Sequence, residues 1–92
     1  MRYIDITWHH DELDEPYRFI SEINTENFET RKLVFFKTAK IGFADADQNS
    51  HGIELGTVAV PTLNDILAED EFTGTAITQE TFNQLWNTYV KA

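Results

Sequence analysis

The hydrophobic residues of this chain change their spacing once. Through the first half they recur at every second position, and near the C-terminal end they recur on a helical spacing. In Tyr3-Ile4-Asp5-Ile6-Thr7-Trp8, Ile4, Ile6 and Trp8 lie on one face and Tyr3, Asp5 and Thr7 on the other. That alternation is the pattern of a half-buried strand. The polar run His10-Asp11-Glu12-Leu13-Asp14-Glu15-Pro16 cannot continue it and reads as a loop. A second strand is predicted over 17–23, with Tyr17, Phe19 and Ile23 on one face and Arg18 and Glu22 opposite. Asn24-Thr25-Glu26-Asn27 carries turn chemistry. The third strand, over 28–37, contains Leu33-Val34-Phe35-Phe36, apolar on both faces as a central strand requires. Thr38-Ala39-Lys40 makes a short hairpin into a fourth strand over 41–46. There Ile41 and Phe43 point inward, and Gly42 and Ala44 leave room for a close neighbour.

Residues 47–52 form a polar loop, and 53–60 read as extended chain interrupted by Gly56. Thr62 can cap a helix with Leu63, Ile66 and Leu67 at i, i+3 and i+4, and Asp65 at N3. A stronger helix begins at Thr78, where Phe82, Leu85, Trp86, Tyr89 and Val90 make one continuous apolar face. Ile77 before the cap and Phe82 in the first turns form a hydrophobic staple. The expected fold is α+β: an antiparallel sheet of four to five strands in an N-terminal meander, covered on one face by C-terminal helices. Its 92 residues suit one domain, and their 41% hydrophobic content can supply a core.

Charge restricts the partners of such a domain. Sixteen acidic and seven basic side chains give a formal charge of −9. From Ile41 to Val90 there is no Lys or Arg, while Asp45, Asp47, Glu54, Asp65, Glu69, Asp70, Glu71 and Glu80 all fall there. Such a field repels nucleic acid and anionic membranes and steers basic proteins inward. Equally, an acidic surface keeps a small domain in solution. Met1 to Trp8 lacks the apolar run of a signal peptide, so a cytoplasmic location is expected.

Catalytic chemistry is sparse. No cysteine is present, which removes disulfides, thiolate nucleophiles and cysteine-ligated zinc. His9 and His10 are adjacent and point apart in extended chain, and no His-Glu-x-x-His spacing occurs. Ser21 and Ser50 have no elbow motif, and the four glycines make no phosphate-cradling loop. The expectation is therefore a protein with no catalytic residues, no bound metal and no cofactor. The alternative is a small-ligand or metal-binding domain, or a weak hydrolase, using His10, Glu15 and His51.

A set of ordered residues spans most of the chain: Tyr3-Ile4, Trp8, His10, Glu15-Pro16, Ser21-Glu22, Arg31-Lys32, Ile41-Gly42, Ala44, Leu55-Gly56, Val58, Pro61, Glu71-Phe72, Ile77-Thr78, Phe82 and Trp86. In this it resembles a family of small acidic bacterial proteins classed as a domain of unknown function. That family is similar to the immunity proteins of toxin–immunity systems, including contact-dependent growth inhibition. The resemblance implies a toxin inhibitor whose cognate partner is a basic nuclease domain. The expected contact surface is Asp45, Asp47, Gln48 and Glu54, with Glu69, Asp70, Glu71 and Phe72 as a second patch. A monomer or weak homodimer is expected, since Gly42 and Ala44 can face either a helix or another copy.

Overall fold

The computed structural model describes residues 1–90. Five strands form one antiparallel sheet: β1 (Arg2–Trp8), β2 (Pro16–Ile23), β3 (Glu29–Phe36), β4 (Ile41–Ala44) and β5 (Phe72–Ala76), in the order β4-β3-β2-β1-β5. Two helices complete the fold, α1 (Leu63–Leu67) and α2 (Gln79–Tyr89). Both caps form as the sequence requires: Thr62 Oγ1 accepts from the Asp65 N–H at 3.2 Å, and Thr78 Oγ1 from the Thr81 N–H at 3.1 Å. No helix among the described residues is long and apolar enough to cross a membrane.

The helices lie on opposite faces of the sheet, which corrects the expectation of a single covered face. Under α2, Tyr3, Ile20, Leu33 and Phe35 pack with Phe82, flanked by Ile41, Phe43, Ile77, Leu85, Trp86 and Val90. On the other face Ile4, Ile6 and Ile23 pack beneath Val60, Leu63, Ile66, Leu67 and Phe72. The reason is visible in β1, where neighbouring Tyr3 and Ile4 are both buried. A strand with large side chains on both faces needs two covers. In β2, Phe19 and Ile23 share one face and Arg18 and Glu22 the other as expected, but a register irregularity between Pro16 and Arg18 moves Tyr17 to the α2 side with Ile20.

Strand β5 was not expected, and the segment 53–60 is not a strand. Its neighbour Glu29 explains the latter: Oε1 accepts from the Gly56 N–H at 2.7 Å, and Val60 N–H donates to Asn27 O at 2.6 Å. These bonds hold the segment against β3 as irregular chain. The room left by Gly42 is filled by Ile53, since a Cβ there would lie 2.6 Å from Ile53 Cγ1. Ala39 closes the β3–β4 hairpin at φ 71°, a left-handed conformation that costs a residue bearing Cβ about 1 kcal/mol. Ala39→Gly is expected to stabilise the protein by about 0.5 kcal/mol once the looser unfolded chain is counted, read as a raised urea midpoint.

Candidate functional site

The strand order brings together acidic segments that are far apart in sequence. β1 ends beside the start of β5, with the His9 N–H donating to Glu71 O at 2.7 Å and Trp8 Nε1 to Glu71 Oε2 at 3.1 Å. The β1–β2 loop therefore shares one end of the sheet with the α1–β5 corner. Asp11, Glu12, Asp14 and Glu15 from the loop join Glu69, Asp70 and Glu71 there, all exposed. None of these seven forms an ion pair among the described residues. The three ion pairs are Arg18–Asp5, Arg31–Glu22 and Lys32–Glu29, so half of the described cations are spent on acids lying on the sheet.

Beside this acidic end, α1 and the chain leading into it do not fully cover their face of the sheet. A groove of about 380 Å³ remains, with Ile4, Ile6, Phe19, Ile66 and Phe72 along its floor and walls. Glu29, Asp65 and Glu69 line it as well. Glu29 is occupied by Lys32 Nζ at 3.2 Å and by Gly56, whereas Asp65 and Glu69 are exposed and have no cation partner among the described residues. Phe72 belongs to both features: it stacks on Trp8 with ring centroids 6.2 Å apart and packs against the Ile4–Ile6–Ile23 cluster. An apolar slot rimmed by carboxylates suits an apolar side chain flanked by Lys or Arg.

The two expected contact patches are not neighbours. Asp45, Asp47, Gln48 and Glu54 follow β4, while Glu69 to Phe72 lead into β5, and these are the two outer strands. Four strand spacings separate them, about 19 Å. Asp45 also has a local task. Its Oδ1 accepts from the Asp47 N–H at 2.8 Å and the Gln48 N–H at 2.7 Å, which closes the turn after β4. Asp47, Gln48 and Glu54 are exposed.

His10, Glu15 and His51 do not converge either. The chain after β4 folds back along that strand, Ser50 pairing with Phe43, so His51 lies at the β4 edge of the sheet, while His10 follows β1 three strands away. His10 is already engaged: Nδ1 accepts from the Glu12 N–H at 3.0 Å and Nε2 donates to Pro16 O at 2.8 Å. Its ring sits 4.3 Å from Trp8, and Lys37 Nζ donates to its carbonyl. The histidine thus shapes the acidic loop. No group of three or more His, Asp or Glu side chains among the described residues is arranged to hold a metal ion.

The acidic end is not legible in the sequence, where its two parts lie far apart. Asp11 to Glu15 belong to a nearly neutral half, and only the β1–β5 pairing sets them beside Glu69 to Glu71. The available signal was the Thr73-Gly74-Thr75 alternation, a short strand pattern with no apolar stripe to reveal it.

Fold and site together define a small antiparallel α+β domain with an acidic end and an adjoining apolar groove. Residues 2–91 match the family described as "Domain of unknown function (DUF6881)", and the chain belongs to that family. No curated protein and no solved structure matches it.

Proposed function

We propose that this chain is an immunity-type protein: a non-enzymatic, cytoplasmic inhibitor that binds a basic toxin domain through its acidic end and the adjoining groove. The observation that carries this reading is the seven exposed carboxylates, none in an ion pair among the described residues, beside an incompletely covered apolar slot. Carboxylates can occupy the phosphate-binding surface of a nuclease and accelerate encounter, while an apolar anchor in the groove slows dissociation. The charge distribution also disfavours nucleic acid and anionic membranes as partners.

The direct test is co-purification of the tagged chain with the protein encoded immediately upstream. A stoichiometric complex with a basic, growth-inhibiting domain, weakening as salt rises, is the expected result. Recovery of no such complex when the two are co-expressed overturns the reading.

Given a complex, the two acidic patches can be separated. Reversal of Asp65, Glu69 and Asp70 to Lys should weaken binding at least about tenfold, mainly by slowing association. Reversal of Asp47 and Glu54 should leave it nearly unchanged. Asp45 is left intact because its carboxylate builds the turn, and Glu71 because it binds the Trp8 indole. Calorimetry showing the opposite ranking would move the interface to the β4 side.

A further inference from the structure

The sheet has two outer strands, and the fold treats them differently. On β4, the pairing with β3 leaves the backbone N–H and C=O of Phe43 directed outward, and Ser50 answers both. The Phe43 N–H donates to Ser50 Oγ at 3.0 Å, and Ser50 N–H donates to Phe43 O at 3.0 Å. Ala44 bridges to Asn49, and Ile53 covers Gly42. That edge is closed. On β5, the bonds from the His9 N–H to Glu71 O and from the Ile77 N–H to Tyr3 O fix the alternation. Thr73 and Thr75 turn their backbone groups to β1, and Gly74 and Ala76 turn theirs outward. Among the described residues nothing pairs with the Gly74 N–H, the Gly74 carbonyl or the Ala76 N–H. Residues 73–76 are all exposed, and the edge carries no Lys, no Pro and no bulge. Edges are usually blunted by such devices, and this one is ready to accept a strand.

The glycine at position 74 holds this edge close to β1. A Cβ on Gly74 would lie 2.5 Å from Asp5 O and 2.6 Å from Ile6 Cδ1, so glycine lets β5 seat tightly on β1. At the start of β5 stand Glu69, Asp70 and Glu71. A strand added antiparallel to β5 runs from the Ala76 end to the Phe72 end, so its C-terminal residues arrive beside those three carboxylates.

We propose that β5 is a docking edge for an extended protein segment that adds antiparallel to it, uncharged along residues 72–76 and carrying Lys or Arg at its C-terminal end. Backbone pairing supplies the register and the carboxylates supply the direction. The net charge of −9 disfavours a second copy of this chain as the occupant. The basic character assigned to the segment rests on the partner reading above, while the open edge stands without it.

The test uses the isolated full chain and a short synthetic peptide that alternates Thr with Val or Ile and ends Lys-Arg-Lys. Three controls are the peptide ending in Glu and Asp, the basic peptide N-methylated on its β5-facing amides, and the Ala76→Pro protein. Amide chemical shifts should saturate around Thr73–Ile77, with slowed hydrogen exchange at Gly74 and Ala76. The acidic peptide should bind about tenfold or more weakly. N-methylation should abolish the response, and it decides the matter even where Ala76→Pro perturbs folding. Equal binding of the N-methylated peptide, or shifts confined to the acidic loop, would mean charge attraction alone and overturn the proposal. A dimer in light scattering that Ala76→Pro dissolves would overturn it in favour of self-pairing. Failure of the peptide while a toxin complex still forms rejects the strand mode and leaves the immunity reading intact; success of the peptide with no toxin partner does the reverse.

Discussion

Arg31→Ala should lower the stability of this protein by about 3–5 kcal/mol, although Arg31 is itself only half-buried. The loss comes from what the guanidinium leaves behind. Glu22 is buried, and Arg31 donates to both of its oxygens, from Nε at 2.9 Å and Nη2 at 2.6 Å. Thr30 Oγ1 adds a third bond at 2.7 Å. The same guanidinium donates to Asn83 Oδ1 of α2 at 2.9 Å and lies over the rings of Phe82 and Trp86 at 4.8 and 5.1 Å. One side chain thus joins β2, β3 and α2. Removing it strands a carboxylate under a helix, where water cannot repay the lost partner.

The pH dependence has a definite sign. Hydrogen bonds from Arg31 first, and then from Thr30, hold the Glu22 carboxyl below its ordinary value of 4.5 against the opposing effect of burial. A carboxylate depressed on folding stabilises the native state above the unfolded value, and that contribution is lost as pH falls through the folded one. In Arg31→Ala the main depressing cause is gone and burial remains, which pushes the carboxyl up. The variant's deficit should therefore be largest near neutrality and shrink on acidification. Glu22→Gln in the Arg31→Ala background should recover part of the loss at neutral pH. Urea unfolding at neutral and mildly acidic pH measures all three. A deficit under about 1 kcal/mol, independent of pH, would place the pair among ordinary surface ion pairs and refute the argument.

What the sequence made legible follows from where apolar side chains were dense. The alternation in 3–8, the apolar run 33–36 and the 82–90 face each place a segment by burial alone, and β1, β3 and α2 sit where those patterns require. The Thr62 and Thr78 caps were readable because capping is local chemistry. Two kinds of information were not local. Strand β5 has an exposed Thr-Gly-Thr-Ala sequence with no apolar stripe, and its existence depends on β1 having a free side. The second cover of the sheet was hidden for the same reason. Burial of Ile4 and Ile6 was legible, but which segment would cover them was not, because α1 itself buries no residue fully. The candidate site inherits this limit. Glu69, Asp70, Glu71 and Phe72 were readable as an acidic corner, whereas their partnership with Asp11 to Glu15 exists only through the β1–β5 ladder.

Phe82→Ala is expected to cost about 3–5 kcal/mol and to loosen α2 from the sheet. Phe82 is fully buried, its ring 5.2 Å from Tyr3 and 6.0 Å from Trp86, and Ile77 packs into the same cluster from the other side of the Thr78 cap. The chain's total stability is roughly 5–14 kcal/mol by its size, so the loss is a large share of it. An 11-residue helix has little stability in water by itself. Once its anchor is a cavity, α2 should fray before the sheet melts, giving loss of helix and of Trp86 burial at lower urea than loss of hydrogen-exchange protection in β1–β3. Phe82→Leu keeps most of the volume and should cost about 1–2 kcal/mol. Because Phe82 lies directly beneath the Arg31 guanidinium, the two sites act on one joint. Phe82→Leu with Arg31→Ala should lose less than the sum of the separate losses, by about 0.5–3 kcal/mol. Full additivity would show that Arg31 stabilises Glu22 without any help from the helix. The groove lies on the opposite face of the sheet from α2 and Phe82 touches none of the acidic end, so folded Phe82→Leu should bind a partner as the parent does, separating damage to the core from damage to the interface.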